Sequence, residues 1–158
     1  MKEVIPHERI ESHIFELRGK KVMLDRDLAD LYGVVTKALN QAVSRTIGRF
    51  PDDFSFKLTW AETRFLRSQI VTLEKGAYSK YPSRAFTEHG ILMLSSVLRS
   101  EKAVNVNIQI MRTFVKLREM IHNYSELSER IQKIEKRADA ESREIWKAIR
   151  LLQSTVIK

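Results

Sequence analysis

The stretch from Leu24 to Phe50, LDRDLADLYGVVTKALNQAVSRTIGRF, constrains the fold more than any other part of the chain. Apolar residues recur there at helical spacing in two short blocks, first Leu28, Leu31 and Tyr32, then Leu39, Ala42, Val43 and Ile47. Between the blocks stands Gly33, and a glycine just past the last periodic residue tolerates the left-handed conformation that ends a helix. Asp25 and Thr36 stand where each helix would open, and both side chains can accept hydrogen bonds from unpaired backbone N–H groups. Ala29, small and four residues before Gly33, lets the two helices approach closely. The expectation is a pair of short helices packed at an angle, with helix-turn-helix logic.

In such a pair the second helix would enter a major groove, so the face opposite Leu39, Ala42 and Val43 matters most. Opposite them lie Lys37, Asn40, Gln41, Ser44 and Arg45, with Thr36 at the start and Arg49 just beyond. Asn and Gln offer a donor and an acceptor together, as an adenine edge requires, while Arg and Lys suit guanine and phosphate. A solvated polar face on an ordinary helix pair would give the same pattern, so the rest of the chain has to decide.

Charge favours the first reading. The 158 residues contain 28 Lys and Arg against 20 Asp and Glu, a formal +8 that suits a polyanionic partner. Up to His122 there are 20 basic and 14 acidic residues, and beyond it 8 and 6, so most of the excess accompanies the helix pair. Cysteine is absent, which excludes a disulfide framework and a thiolate zinc site. The first residues lack the apolar run of a signal peptide, and no segment offers about 18 uninterrupted apolar residues. A cytoplasmic protein without a membrane partner is expected.

Before the helix pair, Phe15 and Leu17 alternate with polar residues, Gly19-Lys20 signals a turn, and Val22 and Leu24 alternate again. This reads as a β-hairpin that brings Lys20 and Lys21 within reach of a phosphate. Residues 5–14 read as a short helix covering a core edge. After the pair, Phe54, Phe56 and Leu58 alternate as a strand. Thr59 and Glu62 form a capping box for a helix through Trp60, Phe65 and Leu66. A strand over 69–73 and a basic, tyrosine-bearing loop over 74–83 follow. Thr87 caps an apolar helix over 88–98, and Ser100 opens a long helix whose apolar stripe is read as Val104, Ile108, Met111, Val115 and residues 117–121.

Beyond His122 the composition shifts to a charged helix without glycine or proline. Ile131, Ala138, Ile145 and Leu152 fall on one heptad position and Leu127, Ile134, Glu141 and Ala148 on the other, a coiled-coil register with Glu141 as its flaw. Such a tail would join copies of the chain into a homo-oligomer and match two half-sites.

The phrases DRDLADLYGVVTKALNQAVSR, RFPDDFSFKLT, LRSQIVT and RAFTEHGILMLSSVLRSEKAVNVNIQIMRTFVKLRE occur in an order that resembles the phage and bacterial Orf-six-N domain, related to the KilA-N and Bro-N DNA-binding domains. The resemblance covers residues 14–120. It implies a small DNA-binding domain of phage antirepressors and prophage regulators, with its reader in Thr36 to Arg45 and a variable C-terminal region. Where relatives often carry a more basic, glycine-rich loop before AFTE, this chain has EKGAYSKYPSR.

The chain has no paired histidine ligands, no phosphate-binding glycine loop and no nucleophile elbow, so neither an enzyme nor a cofactor is expected. The fold expected is α+β: a helix-rich domain over 1–122 with a helix-turn-helix-like pair and short strands, then a helical tail over 123–158. The function expected is a sequence-specific regulator of double-stranded DNA. The alternative is an interaction module that binds another regulator protein through its helices.

Overall fold

A computed structural model describes residues 4–69 and 81–156. The chain divides into two compact units, Met1–Val115 and Lys116–Lys158. In order come α1 (His7–Glu11), β1 (Phe15–Leu17), β2 (Lys20–Leu24), α2 (Asp25–Tyr32), α3 (Thr36–Arg45), a 3-10 turn (Ile47–Arg49), β3 (Ser55–Lys57), α4 (Trp60–Gln69), β4 (Arg84–Thr87), α5 (Glu88–Val97) and α6 (Glu101–Val156). This is an α+β fold, as expected. The expected strand over 69–73 is corrected at its first residue, since Gln69 is helical and belongs to α4; residues 70–73, and the loop as far as Lys80, lie outside the described residues.

The hairpin forms, with Leu17 opposite Lys20, but its turn is Arg18-Gly19 and not Gly19-Lys20. Both turn residues have positive φ, 53° and 72°, which matches the twist of two joined strands. Arg18 is the unusual member, because its Cβ disfavours that region. Its guanidinium is held by two hydrogen bonds to Glu62, at 3.0 and 2.8 Å, and lies 4.1 Å from the centre of the Phe56 ring.

Glu62 also completes the capping box, since it accepts from the Thr59 N–H at 2.8 Å while the Thr59 hydroxyl accepts from the Glu62 N–H at 3.1 Å. The Arg18 hydrogen bond, and then the Thr59 N–H, hold the Glu62 carboxyl down at about 2. A carboxyl depressed from 4.5 contributes stability above that value and loses it as pH falls towards 2. Glu62→Gln should therefore flatten this part of the acid limb. Urea midpoints measured for both proteins should differ at pH 6 and converge near pH 2.

The four strands are antiparallel in the order β1-β2-β4-β3, so β4 is central, although the sequence did not suggest it as a strand. Its neighbours pair Met23 with Phe86 and Ser55 with Phe86. Both faces of the sheet are covered. On one, Met23 and Phe86 join the main core with Ile10, Leu28, Leu39, Ile91, Leu94 and Ile110; on the other, Val22 and Ala85 join Leu17, Phe56, Leu58 and Leu66. Of the three apolar residues expected on α4, only Leu66 is buried, and Trp60 and Phe65 are exposed.

The Thr87 hydroxyl caps α5 by accepting from the Gly90 N–H at 3.3 Å, and Ser100 accepts from the Ala103 N–H at 3.1 Å. Gly90 is required by packing: a Cβ there would lie 2.1 Å from the Phe54 carbonyl oxygen. Within the first unit the buried side of α6 is Ala103, Val106, Ile110 and Phe114, with Asn107 and Thr113 among them. Of the expected stripe, Met111 packs against this core, whereas Val104, Ile108 and Val115 are exposed, which corrects their placement. Asn107 accepts a hydrogen bond from the Tyr32 hydroxyl, whose pKa burial pushes well up, and Thr113 bonds His7 at 2.8 Å. The N-terminal segment thus docks on α6, with Ile5 and Ile10 buried as its expected role requires.

The second unit is the remainder of α6, one unbroken helix. Its heptad residues Leu127, Ile131, Ile134, Ile145 and Leu152 are all exposed.

Candidate nucleic-acid interface

Helices α2 and α3 are joined by Gly33-Val34-Val35, with Gly33 at φ 73° and ψ 29°, the left-handed conformation expected of it. Leu28, Ala29, Leu31 and Tyr32 of α2 and Leu39 and Val43 of α3 are buried. Ile47 departs from the expectation: it opens the 3-10 turn and is exposed.

The caps also differ. Val35 precedes α3, so Thr36 is its first helical residue and makes no capping hydrogen bond. Leu24 stands in the same place before α2, and Asp25 is the first residue of that helix. Asp25 is buried, and its two oxygens are used separately, one accepting from the Arg26 N–H and the other from the Asn40 side-chain N–H, both at 2.8 Å. Asn40 is accordingly half-buried and committed to α2, which corrects its placement among freely outward residues; its amide oxygen is buried without a partner. A buried carboxylate needs such donors, since an unmatched one would carry a large desolvation cost.

Thr36, Lys37, Asn40, Gln41 and Ser44 line one side of a cavity of about 790 Å³. Asp25 and Arg26 at the start of α2, Lys57 of β3, and Tyr81 to Arg84 complete it. Five of the nine residues singled out from the sequence therefore come together. Arg45, Arg49, Lys20 and Lys21 do not line the cavity. Arg45 is exposed at the end of α3, and Arg49 donates to the Ser96 hydroxyl at 2.9 Å. On the hairpin, Lys20 is exposed and Lys21 half-buried.

Three basic residues of the cavity, Arg26, Lys57 and Arg84, were missed by sequence reasoning. Lys57 and Arg84 are direct partners across the β3–β4 pair. Like charges directly opposite each other on neighbouring strands repel, so the pairing costs stability unless an anion answers it. The Arg84 guanidinium is half-buried and donates at 3.3 Å to the neutral Ser55 hydroxyl. Desolvation lowers its pKa, with Asp25 and Asp52 acting against the shift from a distance. No adjacent periodicity announces this pair, because the two residues lie 27 positions apart and meet only through strand register.

Lys37, Lys57, Arg84 and Arg26 surround a polar surface carrying Gln41 and Ser44, an arrangement able to hold an anion with cations and read an adjacent hydrogen-bonding edge. Among the described residues no cluster of side chains could hold a metal ion, and no helix is long and apolar enough to cross a membrane. Compared with curated proteins and with solved structures, the chain matches none. Residues 12–97, more than half of the chain, match the family model of the ORF6N domain, and the chain belongs to that family.

Proposed function

We propose that this chain is a sequence-specific double-stranded DNA-binding regulator of the phage antirepressor type, acting in the cytoplasm by binding and not by catalysis. The observation that carries the reading is the cross-strand pair Lys57–Arg84 facing the same cavity as the outward residues of α3. Two cations placed directly opposite each other favour a phosphate, and Gln41 and Ser44 beside them suit a base edge. Membership of the ORF6N family agrees with this reading, and the exposed heptad face of the tail supports self-association of two such readers.

A second reading, an interaction module that binds another regulator, draws on the exposed Val104, Ile108 and Val115 of α6. Site selection from random duplexes separates the two, because a DNA regulator enriches a defined sequence whereas an interaction module enriches none.

Asn40 and Gln41, adjacent in sequence, should behave differently. Gln41 is exposed, so Gln41→Ala should leave stability unchanged and cost about 1–3 kcal/mol on the preferred site, relaxing one base pair. Asn40→Ala should instead destabilise the fold by about 1–3 kcal/mol, because it removes a partner of the buried Asp25 carboxylate. Thermal unfolding and binding measured on the same samples check both.

A further inference from the structure

We infer that the tail pairs with a second copy of itself in an antiparallel arrangement, and this rests on the self-association proposed above. The seam itself discriminates between orientations. In a parallel, in-register pair each residue faces its own counterpart, so Glu141 would meet Glu141 of the second copy in the middle of the seam, and Ala138 and Ala148 would each meet another alanine. Two carboxylates would be forced together while two layers were left underfilled.

Reversing one helix mixes the two heptad positions. The full-length antiparallel register sets Glu141 against Ala138, Ile131 against Ala148, Ile134 against Ile145, and Leu127 against Leu152. Each alanine then faces a large residue and no layer holds two alanines, and the Glu141 methylenes can lie over Ala138 while the carboxylate reaches the edge of the seam. In this register the flanking Arg137 lies beside Glu144 of the second copy, twice by symmetry, and Arg130 lies beside Leu151. A parallel pair would gain Arg130 against Glu135 at the rim, but an exposed pair of this kind is weak beside two carboxylates in the seam. In the antiparallel coil Lys116, the first residue of the tail unit, would lie about 70 Å from its counterpart, close to two turns of B-DNA.

The absence of native cysteine makes a direct test possible in the full chain. Leu127→Cys and Leu152→Cys chains, mixed under reductant and then oxidised, should give a mixed disulfide dimer, while Leu127→Cys alone gives none. Self-linked Leu127→Cys as the main product would overturn the antiparallel pairing. Because a seam cysteine can weaken the coil, Ser125→Cys carrying a nitroxide provides a second readout. The label-to-label distance should exceed about 40 Å, whereas a distance of about 20–25 Å, two helix diameters, would mean a parallel coil. Light scattering that finds only monomer would overturn the self-association reading itself.

Discussion

Phe86→Ala is expected to destabilise the first unit by about 3–5 kcal/mol. Phe86 is fully buried on the central strand β4, where it stands between Met23 and Ser55 in register. Its ring meets Phe50 edge to face at a centroid distance of 6.0 Å, so truncation removes an aromatic contact as well as apolar burial and leaves a cavity. Against a total of about 5–15 kcal/mol for an ordinary domain, this is a large fraction. Urea unfolding should show a lower midpoint with an unchanged slope. Leu92→Ala, at an exposed position of α5, should shift the midpoint little, which separates a packing effect from general loss of hydrophobicity.

The second large effect concerns binding. Replacing Lys37, Lys57 and Arg84 together by Gln should reduce the slope of log affinity against log salt by about 2–3, if each contacts a phosphate. Charged hydrogen bonds contribute about 1.5–3 kcal/mol apiece, so affinity for all duplexes should fall by orders of magnitude while preference among sequences survives. Stability should not fall in proportion. Removing Lys57 and Arg84 relieves a cross-strand repulsion, and the variant should unfold at a temperature equal to or above that of the parent. A variant that lost affinity only because it lost its fold would show the opposite.

Features read correctly from the sequence are those whose cause is local. Thr59 with Glu62, Thr87, Ser100 and Gly33 each act on backbone groups within a few residues, and all four occupy the expected roles. Strand β4 was hidden because both faces of the sheet are buried: Ala85 and Phe86 serve opposite cores, and no polar alternation marks the strand. The long helix misled for a related reason. Val104, Ile108 and Val115 make a cleaner apolar stripe than the true core face, where Asn107 and Thr113 interrupt the pattern with hydrogen bonds to Tyr32 and His7. At the candidate interface, the α3 residues were legible from helical spacing. The role of Asn40 was not, because it depends on a buried carboxylate fifteen positions earlier, and Arg84 and Lys57 become neighbours only when β3 pairs with β4.

The central claim is that the cations around α3 and β4 hold the phosphates of duplex DNA. Its most direct measurement is a fluorescence-anisotropy titration of the intact chain against a labelled mixed-sequence duplex across a salt series. If several of these residues neutralise phosphates, log affinity should fall linearly with log salt, with a slope near −0.9 for each contact, about −3 or steeper overall. No measurable binding at about 50 mM salt, or an affinity that does not change between 50 and 200 mM, would contradict the account.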